Sequence, residues 1–152
     1  LSGSTEDNVP TKMTGVGTTI IGLVKESDFR PGSSQPDDMV VCLGLPKSAP
    51  EDTVRTDDPE IIQQSDLRVL LGISGVHDIL PVGSHGVGYE AEAMARDAGL
   101  RFVADAGCRL DMKKSAGPST CVLASCRDDA AGLLSAQINA PVTLAGKMST
   151  IN

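Results

Sequence analysis

Both histidines of this chain lie between residues 76 and 90, in a segment that also contains three glycines. At its centre, Gly83, Ser84, His85 and Gly86 separate an apolar, strand-like run from a helical pattern. Glycines between a strand and a helix direct free backbone N–H groups at one point, which suits an anion such as a phosphate. Ser84 is a short donor, and His85 can carry a positive charge. The segment predicts an anion-binding turn, and a tight turn without a ligand is the alternative.

His77 and Asp78 begin the same segment and could form an acid–base pair or a ligand pair. Neighbours in a strand point to opposite faces, so the two side chains need not act together. In the structural alternative, Asp78 bonds the following turn and His77 is a satisfied interior group. Lys113 and Lys114 stand in a later polar loop and could reach the same anion, or they form a solvated surface pair. Two histidines without suitably spaced cysteines are not a convincing zinc-ligand set, so no metal site is predicted.

Composition narrows the class of protein. A chain of 152 residues with 40% apolar and 22% charged residues indicates one globular domain with a real core. The net charge of −7 and the 2% aromatic content argue against a nucleic-acid partner, which needs clustered lysine and arginine or stacking platforms. No apolar run approaches the roughly 20 residues that cross a bilayer, and no signal peptide is visible, so no membrane partner is expected.

The four cysteines do not form a disulfide framework by their spacing. Cys42, Cys121 and Cys126 stand in apolar, strand-like runs, Cys108 follows a glycine, and no C-x-x-C pair occurs. Buried reduced thiols are expected, with disulfides or metal ligation as the alternatives, and a cytoplasmic location is the preference that follows. Cys121 and Cys126 are five residues apart, so a strand would direct them to opposite faces.

Alternating strand and helix patterns must position these residues. The patterns predict strands over 15–24, 39–45, 73–80, 100–104, 120–125 and 141–147, and helices over 59–64, 67–72, 87–98 and 128–138. Asp58 is the expected cap of the first helix, with Pro59 as its first residue. This alternation predicts an α+β (layered α/β) fold, a mixed sheet with helices packed on it. Residues 1–14 are expected to be an extended lead-in, and residues 15–152 the domain.

Three features of the chain resemble a known family. The first is a strand over 18–24, then a loop with proline and glycine, then the strand 38–44. The second is His77-Asp78-Ile79 before glycines and a helix, and the third is a closing strand–helix–strand over 120–147. Together they resemble the C-terminal domain shared by aminoimidazole ribonucleotide (AIR) synthase, thiamine-monophosphate kinase, selenophosphate synthetase and a hydrogenase maturation protein. The opening residues 4–11 resemble synthase-related proteins, some of them proposed α-ribazole kinases.

The resemblance implies a function that this chain performs only as part of a larger enzyme. Full-length members have an N-terminal domain that forms the dimer core and supplies most ATP and Mg²⁺ ligands, and the C-terminal domain closes the substrate cleft. The resemblance therefore implies a substrate-binding domain of an ATP-dependent phosphotransferase or synthetase that acts on a small phosphorylated or ribosyl metabolite. The partners would be that N-terminal nucleotide-binding domain and a second copy in a homodimer.

The chain alone is expected to bind neither ATP nor Mg²⁺ and to be inactive, and the polar start without methionine predicts a fragment of a longer gene product. The alternative is a stand-alone metabolite-binding or dimerisation module. Self-association is expected through an exposed edge strand over 15–24, because unpaired strand edges recruit partners.

Overall fold

The computed structural model describes residue 19 and residues 21–151. The predicted lead-in over 1–14 and half of the predicted strand over 15–24 lie outside the described residues. The described part contains five strands and three α-helices, after one short 3-10 helix at Glu26–Asp28. In chain order these are β1 Met39–Leu43, α1 Gln64–Gly72, β2 Val76–Pro81, α2 Gly86–Asp97, β3 Leu100–Ala104, β4 Val122–Cys126, α3 Asp128–Gln137 and β5 Val142–Thr150.

The five strands form one sheet in the order β2-β4-β1-β5-β3, and all four neighbouring pairs are antiparallel. The predicted α+β class with helices packed on a sheet is confirmed, but the sheet is antiparallel rather than mixed. The reason lies in the order of the strands. Strands β1 and β2, which α1 connects, run parallel to each other, but β4 lies between them in the sheet. Strands β4 and β5, which α3 connects, are also parallel, and β1 lies between them. Two split β-α-β units therefore interleave.

The helices cover the two faces of the sheet separately. Helix α2 contacts β2, β3 and β4, while α1 and α3 contact each other and α3 contacts β1. The two buried clusters follow this division: one contains Val87, Ala91 and Met94 of α2, and the other contains Leu70 of α1 and Leu134 of α3. All apolar residues of the helical pattern predicted for α2 are at least partly buried. The periodicity therefore identified its core-facing side correctly.

The cysteines lie where the strand pattern predicts. Cys121 belongs to the cluster under α2 and Cys126 to the cluster under α1 and α3, so the two thiols are on opposite faces. All four cysteines are free thiols. Cys42, Cys121 and Cys126 are buried as predicted, whereas Cys108 is partly exposed. Cys42 shares the α2 side with Cys121. The pKa of Cys42 is raised far above its usual value, mainly by the side-chain hydrogen bond with Cys121 and secondly by burial.

The helix predicted from Asp58 and Pro59 is wrong. Residues 56–60 form turns, and α1 begins only at Gln64. Asp58 accepts the N–H of Glu60 over 2.9 Å, which closes an Asx turn instead of capping a helix. The next residues are held extended by long-range backbone bonds: Leu45 donates to the carbonyl of Glu60, and Ile62 donates to that of Thr120. These bonds compete with the helix that the local sequence favours.

The predicted strand over 15–24 is wrong for its described end. Residues 21–25 have no regular secondary structure, and Ile21 and Leu23 are almost completely exposed. The nearby sheet edge, β2, is contacted instead by the loop that follows: the amide of Gly32 donates to Asp78, and the guanidinium of Arg30 donates to the Val76 carbonyl. No helix in the described residues is long and apolar enough to cross a bilayer.

Candidate functional site

The predicted site residues fall into two groups at opposite ends of β2. His77 and Asp78 stand at the start of this strand, whereas the turn at 83–86 follows its end. At about 3.3 Å per residue, His77 and Gly83 are separated by roughly 20 Å. A single small ligand therefore cannot use both groups.

His77 is held by a buried carboxylate. Its Nδ1 lies 2.8 Å from Oδ2 and 3.0 Å from Oδ1 of Asp38, whose side chain is buried. Asp38 also accepts the N–H of Gln35, and Ser33 donates its hydroxyl to the His77 carbonyl. These contacts attach the loop before β1 to strand β2. The histidine is thus a satisfied, partly exposed group that joins two segments.

Asp78 is a buried acceptor for backbone amides. Its Oδ2 accepts the N–H of Gly32 over 2.9 Å, and its Oδ1 accepts the N–H of Ile79 over 2.8 Å. Burial raises the pKa of this carboxyl above its usual value, and the two backbone hydrogen bonds act in the opposite direction. Asp78 does not pair with His77. Its main partner is the loop before β1. The structural alternative, in which Asp78 bonds the turn after β2, is therefore wrong.

The glycine turn meets another part of the protein. Gly86 has a φ of +83°, and a Cβ there would lie 2.7 Å from the carbonyl carbon of Lys113 and 2.8 Å from the carbonyl oxygen of Met112. The amide of Gly88 donates to that same Met112 oxygen over 2.8 Å, and the amide of Ala116 donates to the carbonyl of Gly83 over 3.0 Å. Glycine permits another segment to approach the turn closely, and that segment is the loop 112–116.

The two lysines of this loop differ in their surroundings. Lys114 is partly buried, and its Nζ lies 2.8 Å from Oδ2 of Asp52. This contact lowers the pKa of Asp52. Lys113 is exposed and lies beside His85, where both residues line one groove. Of the predicted lysine pair, only Lys113 joins the turn residues.

The groove beside the turn has a volume of about 430 Å³ and lies between α2, β3 and the loop 112–113. It is lined by His85, Gly88, Tyr89, Glu92, Phe102, Ala104, Met112 and Lys113. The rings of His85 and Tyr89 stack with centroids 4.6 Å apart and planes 30° apart. Ser84 is exposed beside them, with its Oγ 3.5 Å from Nδ1 of His85.

Of these eight lining residues, sequence reasoning identified only His85 and Lys113. It missed the side chains of Tyr89, Glu92, Phe102 and Met112, and also Gly88 and Ala104. Tyr89 follows His85 by four residues and could have been found, because positions i and i+4 share a helix face. Phe102 and Met112 come from other segments, so only the folded chain brings them to the groove.

The residues described do not fit a Mg²⁺–nucleotide site by themselves. Magnesium in such sites is held by carboxylates together with phosphate oxygens. Within residues 19 and 21–151, no group of three or more His, Cys, Asp or Glu side chains is placed to hold a metal ion.

A second feature is an exposed apolar surface at the β2 edge. A groove of about 470 Å³ runs between the segment 24–31, α1 and β2, and is lined by Val24, Asp28, Phe29, Arg30, Pro31, Leu67, Leu71, Ile79 and Pro81. Ile21 and Leu23, which precede Val24 in the chain, are also exposed. We call the set Ile21, Leu23, Val24, Phe29 and Leu71 the apolar edge surface.

Comparison with known proteins places this fold among solved structures. No protein-family model and no curated protein sequence matches the chain. The structure is similar to that of E. coli HypE, a hydrogenase maturation protein, with a TM-score of 0.62 and 13% identity over 79% of this chain and 46% of HypE. A HypE structure in complex with ATP matches with a TM-score of 0.56 and 11% identity, over 80% of this chain and 45% of that one.

Thiamine-monophosphate kinase from Stenotrophomonas maltophilia K279a matches with a TM-score of 0.55 and 15% identity, over 81% of this chain and 51% of the kinase. The chain thus spans about half the length of the structures it matches. The chain therefore has the fold of the matching part of HypE and of thiamine-monophosphate kinase, in agreement with the resemblance seen in the sequence.

Proposed function

We propose that this chain is the substrate-binding, cleft-closing domain of an ATP-dependent phosphotransferase or synthetase that acts on a small phosphorylated or ribosyl metabolite. The observation that carries the proposal is a fold shared with one protein crystallised with ATP and with a kinase, over about half the length of each. In this proposal the remaining half of the enzyme provides the ATP and Mg²⁺ ligands. A cytoplasmic location, where the four free thiols stay reduced, goes with it.

The apolar edge surface supports the proposal that a partner domain packs against this chain. Leu23 is fully exposed, Ile21 is 91% exposed, and Phe29 and Leu71 are each more than half exposed. Of the surface residues, Val24, Phe29 and Leu71 line one groove, and an exposed apolar patch of this kind is typical of an interaction site. We assign this surface to the N-terminal nucleotide-binding domain of the same enzyme, since the chain has only half the length of its structural relatives.

The turn at 83–86 supports the proposal that the substrate carries an anionic group. Ser84, His85 and Lys113 are exposed together at the N-terminal end of α2, the end that favours negative charge. One charge at an exposed helix end gains only about 0.3–1 kcal/mol, so the lysine and the histidine must add to it. Ser84, His85 and Lys113 are thus the proposed ligands of a substrate phosphate, while Gly83 and Gly86 shape the turn. Lys114 instead holds Asp52.

Phosphate titration followed by NMR tests this anion site. The amides of residues 83–88 are expected to shift with added phosphate, and Lys113→Gln is expected to weaken binding several-fold. Lys147→Gln is the matched control, because it removes an equally exposed lysine from strand β5. Unchanged amides in the wild-type protein would show that the turn is structural only.

Magnesium-dependent ATP turnover tests the larger proposal. The chain alone is expected to show none, and the full-length product of its gene is expected to show turnover. ATP hydrolysis by the pure chain of 152 residues would contradict the proposal that the other half of the enzyme provides the ATP and Mg²⁺ ligands.

A second candidate is a stand-alone metabolite-binding or dimerisation module. The observation behind it is the same apolar edge surface, which a second copy of the chain could cover. A natural gene product of 152 residues that sediments as a dimer would support this module, and Leu23→Ser would then restore the monomer. A longer gene product whose additional domain covers this surface would rule it out.

A further inference from the structure

We infer that strand β3 pairs with β3 of a second copy of this chain, so that two five-stranded sheets join into one. Strand β3 is the last strand at one edge of the sheet and pairs only with β5 among the described strands. The opposite edge, β2, borders the apolar edge surface. The inferred contact is therefore separate from the partner surface of the proposed function and does not depend on it. It is also separate from the dimer core that the resemblance assigns to an N-terminal domain.

The outer side of β3 offers two residues for backbone pairing. In an antiparallel pair, successive residues of a strand direct their N–H and C=O groups alternately towards and away from the neighbouring strand. The amide of Asp105 donates to the carbonyl of Ala145, so the odd-numbered residues of this segment face β5. Phe102 and Ala104 therefore direct their backbone groups outward, and no helix or loop in residues 21–151 forms a backbone hydrogen bond with them.

A two-fold axis at Val103 satisfies these outward groups. Two copies related by such an axis place residue i opposite residue j, and residue j opposite residue i. With the axis at Val103, Phe102 of each copy lies opposite Ala104 of the other, and the two exchange both backbone hydrogen bonds on each side of the axis. The unpaired edge is thereby closed.

The charged residues of β3 select this register. Arg101 and Asp105 stand two residues before and two residues after Val103, and strand alternation places all three on one face of the sheet. With the axis at Val103, Arg101 of each copy lies opposite Asp105 of the other, so an ion pair forms on both sides of the axis. The neighbouring registers that also pair outward groups lack this match. A charge on an edge strand usually prevents pairing, whereas these two charges complement their own copy.

The side chains of Arg101 and Asp105 are available for this contact. Both residues are exposed, and neither forms an ion pair with another described residue. Arg101 donates from Nε to the carbonyl of Thr150 over 3.1 Å, which leaves its terminal guanidinium nitrogens for a carboxylate. Asp105 accepts the N–H of Gly107 at Oδ2 over 3.0 Å, which leaves Oδ1. These bonds hold both side chains in place, which lowers the entropy lost on association.

Val103 provides an apolar contact between the two ion pairs. Helix α2 covers the other face of β3, where Phe102 packs on the buried cluster. On its own face Val103 is only partly buried, and it lines a cavity of about 160 Å³ together with Met39 and Leu144. Residues opposite each other outside the hydrogen-bonded pairs lie closest, with Cα atoms about 4.5 Å apart. Val103 therefore packs against its own copy at the axis.

Sedimentation over a concentration series up to millimolar tests the dimer. The contact is small, below the roughly 1,000 Å² of a stable interface, so we expect a weak dimer that dissociates on dilution. Amide hydrogen exchange locates it: Phe102 and Ala104 should become protected as the concentration rises, whereas Val103, which faces β5, should be protected throughout. This measurement on the wild-type chain applies even if a variant does not fold.

Charge reversal tests the register. Arg101→Asp and Asp105→Arg are each expected to weaken the dimer at least tenfold, because like charges then lie opposite each other. Mixing the two variants should restore it: one copy carries only acidic side chains at these positions and the other only basic ones, so each charge again faces its opposite. Arg68→Asp, at an exposed arginine of α1, is the matched control and should leave the dimer unchanged.

Three outcomes would overturn the inference. The first is a wild-type chain that stays monomeric at millimolar concentration. The second is a dimer that both charge reversals leave intact, or a mixture of the two variants that does not associate. The third is a dimer that Leu23→Ser disperses, because that result would place the contact at the apolar edge surface instead.

Discussion

The amide of Gly88 donates a hydrogen bond to the carbonyl oxygen of Met112 over 2.8 Å, and this bond joins the start of α2 to the loop before β4. Gly86 lies in the same contact and approaches the backbone of residues 112–114. The glycine turn is thus an internal joint between two segments. Its consequence for function is indirect, because it holds His85 and Lys113 side by side.

Substituting Gly86 should show the strength of this joint. A residue other than glycine at a positive φ costs about 1–2 kcal/mol, and a Cβ at Gly86 would in addition lie within 3 Å of three backbone atoms. Gly99 has a φ of +68° and open space around its Cβ direction, so Gly99→Ala isolates the cost of the backbone angle. Urea unfolding is expected to show a larger loss for Gly86→Ala, by about 1–3 kcal/mol. Equal losses would mean that the loop moves aside.

Asp66 should be important for the stability of the protein. It is buried and accepts hydrogen bonds from the amide of Gln63 and from the amide and side chain of Asn139. It thereby joins the start of α1 to the segment after α3. Asp66→Ala leaves these donors without a partner and is expected to lower the free energy of unfolding by about 1–3 kcal/mol.

Asp66→Asn keeps one acceptor oxygen and should lose less stability than Asp66→Ala. Chemical denaturation of both variants checks this order. A neutral Asp66→Ala would show that water replaces the carboxylate.

Asp78 should make the stability of the protein depend on pH. Burial raises its pKa in the folded state, so the folded protein holds this proton to a higher pH than the unfolded chain does. Stability from this group is present below the ordinary carboxyl pKa and is lost as the pH rises through the raised value. Asp78→Asn lacks this titration. The stability of Asp78→Asn relative to wild type is therefore expected to increase from pH 3 towards pH 7.

Unfolding free energies at several pH values measure this difference directly. The amide also loses one of the two acceptor oxygens, but that loss is the same at every pH. A difference that stays constant with pH would contradict the raised pKa.

The thiols should differ sharply in reactivity. Cys42, Cys121 and Cys126 are completely buried, and burial raises the pKa of Cys126 to about 12. Cys108 is partly exposed and makes only a 3.9 Å contact from its Sγ to the sulfur of Met112. Because the thiolate is the reactive form, a thiol reagent should label one cysteine quickly in the folded protein and the other three only on unfolding.

Cys108→Ser should abolish the fast phase of labelling, whereas Cys126→Ser should leave it unchanged. Mass spectrometry after brief alkylation identifies the labelled position. Rapid labelling of a second cysteine would indicate local opening of the core.

Local patterns in the sequence were sufficient for much of the fold. Helix α2, its end before Gly99 and the strand after it follow from apolar spacing and a glycine, because periodicity depends only on neighbouring residues. The opposite faces of Cys121 and Cys126 follow from the alternation of a strand. The α+β class and the resemblance to the superfamily were also visible in the sequence alone.

The arrangement of the site was decided by long-range contacts. The extended strand β2 places His77 and His85 beyond each other's reach, and the loop before β1 meets Asp78 through the amide of Gly32. The meeting of Tyr89 with Phe102 depends on where β3 joins the sheet. By itself, the sequence determined which residues have the periodicity to form elements and the chemistry to bind an anion. Only the tertiary structure decided which of them meet, because surface complementarity and backbone pairing between distant segments outweigh the local preference of any one segment.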